Sequence, residues 1–260
     1  MIPTTIEEIL TALDSETSEN CEFVVRNKSS QRALKMDFSV LKNLLAVEDY
    51  PGELLVDLGL PSGRLWATRN VDVTRMNGFA KSPYQYECSF FSWGNTDGHN
   101  PISASAFSYN WGTSNDGPYA STPGASLTGD AGVGYDAGAM NLGGPWKLPT
   151  TADFAELFNS AYTKYIDANG AEVTGTNKLV IVNGVQGILL QSKVNGKKIF
   201  FPCSGYGYGT SWYYRGSYGY YWSSSLNSST DGRLLYFNSG GVYPQYGNGR
   251  FYGFAVRPVQ

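Results

Sequence analysis

Side chains capable of covalent or metal chemistry are sparse in this chain of 260 residues. Three cysteines, Cys21, Cys88 and Cys203, have the spacing of neither a zinc site nor a redox pair. Their odd number argues against a complete disulfide framework but leaves room for one bridge. The sole histidine, His99, lies in the polar, glycine-flanked stretch NTDGHN and is expected on a solvent-exposed loop. A histidine-rich metal site is excluded, and a Ser–His–Asp relay would have to use His99 alone. The stretch GDAGVGYDAG carries Asp130 and Asp136 and offers at most a weak structural cation site. Its glycines match neither a phosphate loop nor a dinucleotide fingerprint. The expectation is no catalytic residue, no metal and no cofactor.

Recognition chemistry is concentrated instead at the C-terminal end. Eleven of the 19 tyrosines fall within Gly205–Gln260. From Ser204 onward there is no lysine or glutamate, and Asp231 is the single aspartate. Positive charge there comes from Arg215, Arg233, Arg250 and Arg257. Tyrosine with glycine, serine and asparagine is the composition of an antibody combining surface. Tyrosine supplies rigid contact area, and the small residues adapt to a partner. A tyrosine-rich antiparallel sheet would show the same bias, because tyrosine favours strands.

The elements that must carry this surface follow from local patterns. Thr4 or Thr5 caps a helix beginning near Ile6, with Ile6, Ile9, Leu10 and Leu13 on one face. Asn20–Met36 reads as a strand, a turn and a second strand, and Phe38–Val47 as a helix. Pro51-Gly52 closes this unit, so a boundary is placed near Tyr50, with residues 1–50 as a docking module. Leu54–Leu58 and Leu65–Ala67 are short strands about a Pro-Ser-Gly turn. Ser82–Pro145 is long and irregular, anchored by Trp93, Phe107, Tyr109 and Trp111. Thr150 or Thr151 caps a helix from about Ala152 to Tyr162. Asn183-Gly184 and Asn195-Gly196 are hairpin turns, the latter joining strands Gly187–Gln191 and Lys198–Pro202.

Bulk properties set further bounds. A net charge of -3 gives nothing to steer a phosphate backbone, so no nucleic-acid partner is expected. No apolar run approaches 18 residues, so no helical membrane insertion is expected. The opening MIPTTIEEILTALDS lacks a basic start and a long apolar run, so no signal peptide is expected.

The ordered series DLGLPSGRLWAT, FFSWGNT, WKLPTTADFAELF, GVQGILLQSKVNGKKIFFP, YYWSSS and GFAVRPV resembles the Fibrobacter succinogenes major paralogous domain family of Bacteroidetes and their phages. It spans about Leu54–Val259. The resemblance implies an α+β, C-type lectin-like fold with short, mainly antiparallel strands, two helices and long inserted loops over 51–260. It implies scaffold roles for Trp146, Trp222 and Arg257, with Val256 in a strand paired inside the domain. The calcium-binding triplets of lectins of this fold are absent. So is the C-terminal cysteine pair of its formylglycine-generating branch, since no cysteine follows Cys203.

The tail is also similar to the variable region of proteins diversified by retroelements, where a fixed frame is interrupted by exchangeable positions. The frame here would include YWSS, LYFNSG, GNGR and GFAVRPV. The implied ligand-binding positions are Tyr213, Tyr214, Tyr218, Tyr220, Ser229, Asp231, Gly232, Gly241, Tyr243, Tyr246, Gly247 and Tyr252. The implied role is non-catalytic recognition of a host-surface protein or glycan by a phage receptor-binding or tail-tip protein. Residues 1–50 would then serve homotrimer or virion assembly. The alternatives are an undiversified bacterial surface or adhesin-like protein and, from a different class, an enzyme of the formylglycine-generating type.

Overall fold

The computed structural model describes residues 22–26, 33–37, 53–112 and 124–260. The chain divides into two compact units, Met1–Asp49 and Tyr50–Gln260. In the first, β1 (Glu22–Arg26) pairs antiparallel with β2 (Ala33–Asp37), Val24 facing Lys35. The helices expected from Ile6 and over Phe38–Val47, and the Pro51-Gly52 turn, lie outside the described residues.

The second unit is a mixed α+β fold, with two short α-helices and mostly antiparallel strands among its described residues. It opens with β3 (Leu55–Asp57) and β4 (Leu65–Ala67), joined through the expected turn, where the Gly63 N–H donates to Leu60 O. The chain's end returns to this hairpin: Val259 bridges both Trp66 and Lys147. Between them, β5 (Phe90–Phe91) is a short strand inside the long irregular stretch. Trp93, Phe107 and Trp111 are buried there, as anchors should be, and Tyr109 is half-buried.

Two helices follow, α1 (Ala137–Leu142) and α2 (Thr151–Leu157). Thr150 caps α2 through a capping box: its hydroxyl takes the Asp153 N–H, and the Asp153 carboxylate takes the Thr150 N–H. The helix ends at Leu157, five residues short of the expected Tyr162. Asn159 diverts the chain there, its side chain taking the Ala161 N–H while Thr163 donates to Leu157 O.

A four-stranded sheet is built on β8 (Val185–Ser192). One edge of β8 carries β6 (Thr163–Tyr165) and β7 (Val180–Val182), and the other carries β9 (Lys198–Pro202). Asn183 and Gly184, both at positive φ, make the two-residue turn into β8. Asn195-Gly196 falls in the β8–β9 connection, as expected. After the small hairpin β10 (Tyr206–Tyr208) and β11 (Ser211–Tyr213) comes the principal sheet. It contains β12 (Gly219–Leu226), β13 (Asp231–Asn238), β14 (Gly241–Gly249) and β15 (Phe254–Ala255) in the order β14-β13-β12-β15-β5. Among the described strands only the β12–β15 contact is parallel. Val256 directly follows β15, and its carbonyl takes the Val71 N–H.

Strand alternation sends successive residues of β12 to opposite faces. Tyr221 joins a core with Trp66, Phe154, Phe201, Leu235 and Phe237. Tyr220 and Trp222 join a second with Phe91, Trp93, Leu234 and Phe254. Trp222 is buried, with its indole N–H on Phe91 O at 2.7 Å. Trp146 is half-buried against Phe79 at 5.1 Å. Arg257 is fully buried and donates to Asn70 Oδ1, Ala67 O, Thr68 O and Phe200 O. No described helix is long and apolar enough to cross a membrane.

These contacts fix two outcomes. Trp222→Ala should lose about 3–5 kcal/mol by opening a large cavity. Arg257→Ala should lose a comparable amount, about 3–5 kcal/mol, because it strands buried acceptors. Urea unfolding of both variants against wild type measures each loss.

Candidate binding surface

The outer end of the principal sheet is built on close backbone approach. The Trp111 ring lies flat against Gly207 and Gly253, where an added Cβ would fall 2.1 and 2.5 Å from its ring atoms. Those glycines let β10 lie close beside the segment leading into β15, and the two glycines exchange backbone hydrogen bonds. The hairpin β10–β11 is thereby held beside the β12–β14 ladder.

Onto this frame the tail loads a continuous belt of aromatic rings. Tyr246 and Tyr243 of β14 pack on Tyr236 of β13 at 5.0 and 5.5 Å. Tyr236 packs on Tyr218 at 6.0 Å, and Tyr218 stacks on Tyr214 at 4.3 Å with an interplanar angle of 7°. Tyr214 and Tyr213 both reach Tyr206, at 5.9 and 5.5 Å. Tyr206 meets Tyr252, which stacks on Tyr208, both at 5.4 Å. Such offset and edge-on pairs add to the stabilisation from burial. Tyr213, Tyr214, Tyr243 and Tyr246 are exposed at 41–51%.

Residues 186–259 are similar to a family described as a domain of unknown function (DUF8237). No curated protein and no solved structure matches the chain. The matched stretch runs from β8 to the last residue but one and contains every ring of the belt.

The belt is close to electrically neutral. Burial, then neighbouring phenols, pushes Tyr206 up to about 12. Burial and Tyr236 push Tyr220 higher still. These two hydroxyls keep their protons at neutral pH and remain hydrogen-bond donors. Arg215 pairs with Glu87 at 2.7 Å, and Arg233 donates to Gln245 O. Arg250 is buried over the Trp93 ring at 4.5 Å.

The residues singled out from sequence separate into three groups. Tyr213, Tyr214, Tyr218, Tyr243, Tyr246 and Tyr252 come together in the belt, and Gly241 lies beside the Tyr243 ring. Tyr220 is a correction: it is 8% exposed, packed between Tyr236 and Phe254 as the floor of the belt rather than its face. Ser229, Asp231 and Gly232 sit at the opposite end of the ladder, where Asp231 faces Gly249. Five residue steps along β13, about 17 Å of extended chain, take Asp231 to Tyr236. Gly232 is buried under Trp93 and is frame, while Gly247 lies against Asn227. Tyr206, Tyr208 and Tyr236 are belt members that sequence reasoning missed. The alternation YGY in β10 is the signal that marks the first two.

The other reactive groups are occupied structurally. Burial pushes the Cys88 and Cys203 thiols up, so both stay protonated. Asp136 does not present a cation site: its carboxylate caps α1 through the Ala139 N–H and takes the Leu148 N–H. Among the described residues no group of three or more His, Cys, Asp or Glu is placed to hold a metal.

His99 is the other correction. It is half-buried rather than exposed, stacked on Tyr109 at 3.6 Å, with Nε2 buried and unpaired. Burial pulls its pKa below the ordinary 6.5, against the opposing charge of Asp97. The unfolded chain therefore binds a proton near pH 6.5 that the folded chain refuses, and stability falls as pH drops below 6.5. Thermal midpoints measured between about pH 5 and 7 should decline in wild type and decline less steeply in His99→Gln.

Proposed function

We propose that this protein is a non-catalytic recognition protein that engages a host-surface protein or glycan through the aromatic belt. The observation that supports this is the belt's continuity. Single exposed aromatics are ordinary, whereas a contiguous ring surface with four exposed tyrosines is the kind of patch that marks an interaction site. Tyrosine is also a preferred anchor residue at interfaces. Binding is proposed to need neither metal nor cofactor.

The finer reading is a C-type lectin-like domain whose tail is diversified by a retroelement, carried at the tip of a phage tail or fibre. Two features support it. The closing GFAVRPV segment is paired inside the unit, and four tyrosines of the tail, Tyr213, Tyr214, Tyr243 and Tyr246, stand exposed above a packed aromatic layer. A bacterial surface protein built on the same domain is the alternative placement.

The test applies labelled full-length protein to glycan and envelope-protein arrays. Tyr213→Ala and Tyr243→Ala should each lose about 2 kcal/mol of binding, roughly thirtyfold, with unfolding free energies within about 0.5 kcal/mol of wild type. Chelator should leave binding unchanged. Normal binding by both folded variants would sink the belt as the contact surface. For the finer reading, the coding locus should carry a reverse transcriptase gene and a near-identical template repeat differing at template adenines. A locus with neither points to the undiversified alternative.

A further inference from the structure

Among the described residues only two that are not glycine adopt positive φ, Asn183 at 49° and Tyr214 at 54°. Asn183 opens an Asn-Gly hairpin turn, a place where asparagine tolerates that geometry. Tyr214 has no such compensation, because a bulky side chain in the left-handed region crowds its own backbone.

The surrounding chain forces this conformation. Tyr214 begins the turn between β11 and β12, and its carbonyl accepts from the N–H groups of both Ser217 and Tyr218, at 3.0 and 3.1 Å. The Gly216 N–H donates to Cys203 O, and the Gly205 N–H to Tyr218 O, each at 2.8 Å. A Cβ on Gly205 would lie 2.2 Å from Tyr213 O and 2.7 Å from Arg215 N. The turn is thus pressed onto the 203–205 backbone with no room to relax. Glycine would fit position 214 without strain. What stands there is the most exposed ring of the belt, at 51%.

We infer that Tyr214 is a strained contact residue: its ring is retained for a bound partner, at a cost to the stability of the fold. The inference rests on the belt being a binding surface. Strained residues persist where the rest of the structure over-determines them, and they cluster at ligand clamps. The Tyr214 ring stands between Tyr206 and Tyr218, so it joins the hairpin half of the belt to the ladder half. A partner spanning the two halves would cross it.

The experiment compares full-length wild type, Tyr214→Gly and Tyr214→Ala by thermal unfolding and on the glycan and envelope-protein arrays. Both variants remove the ring, but only glycine also removes the strain. Tyr214→Gly should melt at or above wild type and about 2–4 °C above Tyr214→Ala. It should also lose at least about tenfold in affinity for whatever array member wild type retains. A Tyr214→Gly protein melting about 5 °C or more below wild type would overturn the inference, because the ring would then serve the fold. Undiminished binding by Tyr214→Gly would overturn the contact role. If wild type retains nothing on either array, the reading of the belt as a binding surface fails and the contact role fails with it. In that case the melting order still reports whether position 214 is strained, so the two failures are told apart.

Discussion

A buried cation holds the second unit together. Arg257 follows the closing strand and reaches three parts of the fold at once. Its Nε donates to Asn70 Oδ1 at 2.8 Å, and Nη1 to the carbonyls of Ala67, Thr68 and Phe200. Those carbonyls belong to the end of β4, the residue after it, and β9. The guanidinium also lies over the Phe201 ring at 4.5 Å. Burial pulls its pKa down to about 10, which still leaves it charged at neutral pH. Desolvating that charge is costly, and its partners are neutral oxygens and an aromatic face. The cost makes the arrangement specific: the chain end can be buried only when β4, the Asn70 side chain and β9 present their acceptors together.

Three indole groups repeat this logic between neighbouring segments. Trp93 donates to Ser223 O, Trp222 to Phe91 O and Trp212 to Ser204 O. Tyr221, on the inward face of β12, donates to Pro202 O. In each case a frame side chain satisfies a backbone carbonyl, so the framework does not depend on the exposed tyrosines for its polar contacts. The belt rings lean mainly on one another and on Tyr220 and Phe254 beneath them. Strand alternation puts Tyr221 on one face of β12 and Tyr220 with Trp222 on the other, so the exposed rings lie one layer above a core that is already filled.

That separation also explains what could be read from sequence. The Thr150 capping box, the Asn183-Gly184 turn, β8 with β9 and the buried Trp222 all follow from local signals acting over a few residues. The end of α2 was misread because Phe158 and Tyr162 continue the apolar spacing while Asn159 and Thr163 divert the chain through hydrogen bonds. His99 looked exposed because its neighbours in sequence are polar. Its environment is set by Tyr109 and Trp111, ten and twelve residues away, which no local pattern connects to it. The belt was half legible for the same reason. Composition located the tyrosines, but their division into face, floor and opposite core depends on register. Tyr220, Tyr221 and Tyr236 exchange roles with a single step along a strand. Ser229 and Asp231 share the tail's composition yet fall at the end of β13 away from Tyr236, a distance that composition cannot encode.

The electrical neutrality of the belt constrains how it can act. Arg215 is paired to Glu87, and the phenols themselves carry no charge to steer a partner from a distance. On the proposed function, affinity would then come chiefly from contacts that slow dissociation. Rigid rings suit that requirement, since a phenol has few rotamers to lose and carries a donor at its edge. They also suit a surface that meets water. An aliphatic patch of the same extent would bury itself against any apolar surface, whereas hydroxyl-edged rings keep their rims hydrated until a partner offers matching acceptors. Belt and frame therefore answer to different physics. The frame is specified by buried polar groups that tolerate little change, and the belt by ring planes whose neighbours are other ring planes.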